Sequence, residues 1–146
     1  MGLRGARIIN SRVKPDFSIA LEGTVSNDLP GVPKHKSLAH IGAGPEIRIS
    51  DKYLIADRDF NTFIENLATS NKIDYQLTAK NAGGTNSTAF QVTGEGSKAT
   101  VLSVPVRYLH SPSSVATLND IELTIKLLTK IILNIHKFLH QRHQQL

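Results

Sequence analysis

Short apolar runs alternate with stretches of helical period along this chain, and that alternation restricts the fold more than any other feature. Asp16-Phe-Ser-Ile-Ala-Leu-Glu22 reads as a buried strand beginning after Pro15, and Glu46 to Ser50 alternates as a short one. Ile73 to Thr78 reads as a third strand, and Lys98 to Val104, apolar through its centre, as a fourth. Residues 2–14 place Leu3, Ala6, Ile9 and Val13 on one helical face. Asp59 to Ser70 does the same with Phe60, Phe63, Ile64 and Leu67, and Asp57 or Asp59 is placed to cap it. Asn81-Ala-Gly-Gly-Thr-Asn86 is a glycine turn opening a short helix, Ser87 to Val92. Asn119 to about His140 is a long helix, capped by Asn119 or Thr117. Leu118, Ile121, Ile125, Leu128, Ile132, Ile135 and Leu139 step along it by three and four. Leu123, Leu127, Ile131 and Leu133 widen that stripe, so much of this helix is expected in a core or an interface. The predicted architecture is α/β, a mixed, mostly parallel sheet with flanking helices, in one domain spanning residues 1–146. Residues 23–45, rich in Gly, Pro, Asn and His, read as a long loop of the kind that is either functional or disordered.

Several classes drop out on composition. A chain of 146 residues with 40% apolar content has enough material for one core. Cys is absent, which removes disulfides, thiolate metal sites and Cys nucleophiles. No run approaches the roughly 18 uninterrupted apolar residues of a membrane span, and Met1 to Arg7 lacks the apolar segment of a signal peptide. A cytoplasmic location without a membrane partner is expected. The net charge of +5 raises nucleic acid as a partner. The basic residues are scattered, however, apart from Lys34-His-Lys36 and the tail from Lys137 to Arg142, and aromatic residues are few. No nucleic-acid partner is expected.

The candidate chemistry lies where apolar strands end, the position at which open α/β sheets bind ligands. Glu22 closes one strand and is followed by Gly23; a solvated strand-end carboxylate is the plainer reading. His110 follows another strand and the turn at Pro105, before Ser111-Pro112; a neutral imidazole there is a metal ligand or base, or an exposed loop residue. Gly83-Gly84-Thr85 resembles an anion cradle but lacks the lysine and spacing of a P-loop. His136, His140 and His143 share a helical face, yet the glutamate that a zincin helix needs after its first histidine is missing. No G-x-S-x-G is present.

Taken together, Gly2-Leu-Arg-Gly-Ala6, Pro15-Asp-Phe17, Ala20-Leu-Glu22, Asn27-Asp-Leu-Pro-Gly31, Gly42-Ala-Gly-Pro45, Gly83-Gly-Thr85 and Pro105-Val-Arg-Tyr-Leu-His-Ser111 occur in the order found in one family. The chain resembles the C-terminal part of the catalytic domain of the TET-type, or glutamyl-aminopeptidase-like, dinuclear metallo-aminopeptidases, some of which carry an endoglucanase label. The resemblance implies a site with two zinc or cobalt ions that polarise a peptide carbonyl and activate a bridging water, whose proton a glutamate base accepts. It places Glu22 on one metal and His110 on the other. It puts Asp28 in support of the ligands, and Gly83, Gly84 and Thr85 along the substrate pocket. Asn86 stands where the family usually has Asp, which removes a charge beside that pocket. The family's Glu-Glu pair lies just before the Gly-Leu-Arg-Gly segment, so its first histidine, bridging aspartate and both glutamates are not among these residues, nor is its smaller domain. The expectation is therefore a fragment without a catalytic residue of its own, inactive alone and binding metal weakly or partially. The alternatives are the C-terminal subunit of a split two-chain hydrolase acting on peptides, and a non-catalytic assembly module. The wide apolar final helix and the missing neighbours imply self-association.

Overall fold

Proline and glycine set the boundaries of the first elements. The computed structural model describes residues 2–33 and 36–143, and the side chains only as far as residue 140. Lys34 and His35 of the basic cluster, the side chains of Arg142 and His143, and residues 144–146 of the tail lie outside that description. Helix α1 (Arg4–Val13) ends where Lys14 turns left-handed and donates its N–H to the Asn10 carbonyl, and Pro15 cannot continue it. Strand β1 (Phe17–Val25) follows, then the loop, and then β2 (Glu46–Ser50). Helix α2 (Arg58–Ser70) starts from Asp57, whose carboxylate accepts from the Phe60 N–H. The chain continues through β3 (Gln76–Ala79), α3 (Asn86–Val92), β4 (Lys98–Val106) and α4 (Leu118–His143).

The sheet runs β1-β4-β2-β3. β1 lies parallel to β4 in unbroken register from Phe17 opposite Lys98 to Val25 opposite Val106. β2 and β3 are also parallel, whereas β2 meets β4 antiparallel through Glu46 opposite Ser103 and Ile47 opposite Leu102. The fold is thus the mixed, mostly parallel α/β sheet that the sequence predicts. One face packs under α2 and α4 in a core of Ile47, Phe60, Ile64, Ala68, Ile73, Leu102, Leu127, Ile131 and Phe138. Phe17, Phe60, Phe63 and Phe138 meet there with ring centroids 5.1–6.5 Å apart, the spacing at which aromatic pairs attract beyond simple burial. The other face carries a smaller cluster of Ala20, Leu54, Ala99 and Val101 with Phe90 of α3.

Four expectations are corrected. Glu22 does not close its strand, because β1 runs on to Val25. β4 passes through Pro105 to Val106. It has already parted from β2 after Ser103, so the missing N–H costs no ladder bond on that side. β3 begins at Gln76, not Ile73, because Lys72 is left-handed and the Ile73 N–H returns to the Ala68 carbonyl; Ile73 belongs to the close of α2 and to the core. The buried stripe of α4 is not the one the spacing favours. Asp120, Thr124, Leu127, Ile131 and Phe138 are buried, while Leu118, Ile125 and Ile132 are exposed. Two anchors choose that face: Phe138 in the aromatic group and Asp120 at the helix start. Both carboxylate oxygens of Asp120 accept loop N–H groups, Gly42 at 2.7 Å and Gly44 at 2.9 Å. Gly44 has φ +85°, and a Cβ there would sit 2.1 Å from the Asp74 carbonyl oxygen, so only glycine fits.

Candidate functional site

The site begins on β1, where side chains alternate between faces. Glu22 lies on the face shared with α3, and one of its oxygens accepts the backbone N–H of Asn86, the first residue of α3, at 3.4 Å. Gly83, Gly84 and Thr85 lead directly into that N–H, so the structure brings Glu22 together with the glycine turn. Gly83 takes φ +77°, and Gly84 lies under the ring of Tyr53. Thr85 is buried and stands at the N-cap position, but its hydroxyl caps nothing.

His110 sits in the turn after β4. Arg107 and Val115 exchange both backbone hydrogen bonds across that turn, and Tyr108 and His110 both take left-handed φ, 58° and 63°. Leu109 packs against Gly23: a Cβ at Gly23 would lie 3.3 Å from the Leu109 side chain. The histidine turn therefore reaches the residue after Glu22, while the His110 ring itself is exposed. Asp28 ties the two segments together. Arg107 grips its carboxylate with both arms, Nε at 2.8 Å and Nη2 at 2.9 Å; the Ser26 hydroxyl donates at 2.6 Å and the Ile41 N–H at 3.2 Å. The Arg107 hydrogen bond outweighs the cost of burial and holds the Asp28 carboxyl well below the usual carboxylate range.

Beneath this site lies a buried polar group that the sequence reading missed. Glu22, Ser103 and Glu46 stand in one row across β1, β4 and β2. The Glu46 carboxylate, with no exposed surface, receives Arg48 Nε at 3.1 Å, Arg48 Nη2 at 3.0 Å, the Lys80 ammonium at 3.3 Å and the Thr78 hydroxyl. Arg48 also reaches Asp51 at 3.3 Å and the Thr24 hydroxyl at 3.0 Å, and Lys80 donates to that same hydroxyl. Two carboxylates thus balance two cations, as buried charge requires. Burial alone would raise the Glu46 pKa; the Arg48 hydrogen bonds and the Lys80 and Arg48 charges win, and the carboxyl is held below its ordinary value. Burial keeps Lys80 below its ordinary value despite Glu46. The only outward signal was a Glu-x-Arg-x-x-Asp spacing, which reads equally well as a solvated strand edge.

Whether these residues fit a pair of metal ions is decided by the donors present. Zinc takes imidazole and carboxylate donors, four to a structural site and three protein ligands in a catalytic one. Glu22 and His110 are the only expected ligands, and no group of three His, Asp or Glu side chains converges among the described residues. The two buried hydroxyls nearby that lack partners, Thr85 and Ser103, are neutral oxygens and do not fill that role. These residues alone do not fit a two-ion cage. His136 and His140 are exposed on α4 and join no third ligand among the described residues.

The mixed sheet thus carries a carboxylate on one strand with a glycine turn against it, and a histidine after the parallel neighbouring strand. The profile of the M42 glutamyl aminopeptidase family matches residues 1–127, and the chain belongs to that family. It is 36% identical over 132 residues to a protein of Acetivibrio thermocellus named provisionally as an aminopeptidase, covering 90% of this chain and 39% of that protein. An aminopeptidase of the archaeon Desulfurococcus kamchatkensis superposes with a TM-score of 0.87 at 33% identity, over 90% of this chain and 38% of the other. A TET peptidase of Pyrococcus horikoshii, which assembles into a tetrahedron or a large octahedral shell, superposes at 0.75 with 31% identity, over 90% and 37%. The chain spans less than two-fifths of the length of each of these relatives.

Proposed function

We propose that this chain is the C-terminal portion of the catalytic domain of a metal-dependent aminopeptidase that removes N-terminal residues from peptides. Glu22 and His110 each supply one ligand to a zinc or cobalt pair whose other ligands, and whose base, come from segments outside these residues. Gly83, Gly84 and Thr85 line the substrate pocket, and Asp28 holds the histidine turn through Arg107. One observation carries this reading: at one end of two parallel strands, Glu22 accepts the N–H that ends the glycine turn on one face of β1, and the histidine turn packs against Gly23 from the other. Without the remaining ligands, the 146-residue chain has no turnover. We propose a cytoplasmic location for the enzyme; among the described residues no helix is long and apolar enough to cross a membrane.

The test has two arms. The purified chain, with zinc or cobalt added, should not hydrolyse aminoacyl-p-nitroanilides; robust metal-dependent turnover by it alone overturns the reading. A chimera in which this chain replaces the matching part of the Acetivibrio relative should hydrolyse them. Glu22→Gln and His110→Ala should each abolish that activity, and Asp28→Asn should lower it by about 10–100-fold, the range for residues that support metal ligands. An assembly role is a second reading, favoured by the apolar residues that α4 exposes, Ile125, Ile132 and Leu133. A clean monomer in solution would count against self-association.

A further inference from the structure

Helices α1 and α3 end beside one another at a cavity of about 760 Å³. It lies at the start of the parallel strands, since Asp16 and Ser97, the residues just before β1 and β4, line it. Glu22 and His110 lie toward the other end of the same strands, so this cavity is separate from the candidate site. Its walls are polar. Asn10, 3% exposed, lines it and joins the two helices: Nδ2 donates to the carbonyls of Phe90 at 3.2 Å and Thr93 at 2.9 Å. Both amide hydrogens are thereby used, which fixes the orientation of the amide. Its Oδ1 is buried and has no partner. A buried acceptor left unpaired is costly, so the site calls for a donor. The charges on the walls point the same way. Lys98 is held by Asp57 at 3.0 Å. Asp16, Glu95 and Lys14 are exposed, and no ion pair among the described residues includes them. They leave two negative charges and one positive on the walls, and the C-terminal carbonyls of α1 add to the negative side.

We propose that this cavity binds a free basic amino acid, lysine or arginine. Such a molecule carries two cations and one carboxylate, the complement of Asp16, Glu95 and Lys14. Its ammonium or guanidinium hydrogens meet the two wall carboxylates and supply the donor that Asn10 Oδ1 lacks, while its carboxylate faces Lys14. A neutral amino acid would leave one wall carboxylate without a partner, and a simple diamine would leave Lys14 without one. Neither turnover nor a metal ion is needed for this binding, which lies outside the functional reading above.

Calorimetric titration of the purified 146-residue chain with L-lysine and L-arginine at neutral pH is the experiment. Saturable one-to-one binding of at least one of them is expected, and the side-chain amide resonances of Asn10 should shift as the site fills. L-norleucine, which lacks the side-chain cation, and cadaverine, which lacks the carboxylate, should each bind about tenfold more weakly or worse, the cost of one charged hydrogen bond. Asp16→Asn and Glu95→Gln change exposed side chains, so circular dichroism should be unaltered. Each should weaken binding of the basic amino acid by about tenfold, for the same reason. Glu122→Gln, which removes an exposed carboxylate on α4, should leave it intact. No saturable binding of either amino acid, binding indifferent to both wall variants, or norleucine or cadaverine bound as tightly as the basic amino acids would overturn the proposal.

Discussion

Glu46 is a carboxylate without solvent contact, and its position is tolerable only while Arg48, Lys80 and Thr78 hold it. Glu46→Leu would leave two buried cations with Asp51 alone to balance them. A loss of about 3–5 kcal/mol is expected, the range for breaking a buried pair from one side, read as a fall in the urea midpoint at neutral pH. Asp28 is expected to show itself through pH. Its folded pKa lies below the unfolded value of about 3.9. The stability it contributes is therefore fully present above that value and is lost as pH falls through and below it. Glu46 has the same sign. Stability measured from pH 7 down to about pH 3 should fall at the acid end, and less steeply in Asp28→Asn; an unchanged slope would show that the Arg107 grip contributes nothing. Neither carboxylate was fully legible in the sequence. Asp28 was placed by its Asp-Leu-Pro-Gly motif, but its partner Arg107 lies far along the chain, and nothing local announces such a pairing.

At the scale of elements, periodicity located every helix and strand and misjudged several ends. Helix α2 was the clearest case, since Asp57 and the phenylalanine spacing both survive in the structure. The strand ends were illegible for a physical reason: Val25 and Val106 extend the ladder through pairing with each other, and pairing between distant segments leaves no local mark. Helix α4 was ambiguous because it is apolar on more than one face, and tertiary anchors selected the buried one. Leu127→Ala, at a fully buried position, should cost about 2–5 kcal/mol. Ile132→Ala, at 63% exposure, should change stability by about 0.5 kcal/mol or less. Urea unfolding of both variants checks which stripe faces the core; equal costs would mean that the helix is rotated from its position here.

For the whole molecule, fold class and family were readable from motif order, because glycines, prolines and strand-end polar residues mark where the backbone must turn. The structure brings Glu22 and the glycine turn together while leaving the His110 ring exposed. The buried quartet escaped notice because charge looks the same in a sequence whether it faces water or a partner.

The grip of Asp120 on Gly42 and Gly44 also sets an order of events during synthesis. The two amides of the turn before β2 donate to a carboxylate far along the chain, so the turn stays unlatched on the ribosome until residue 120 has cleared the exit tunnel. Nascent chains stalled just short of that point should be cut readily by protease near residues 42–45, and chains stalled well beyond it should resist. Equal cleavage in both would mean that the turn closes without its latch.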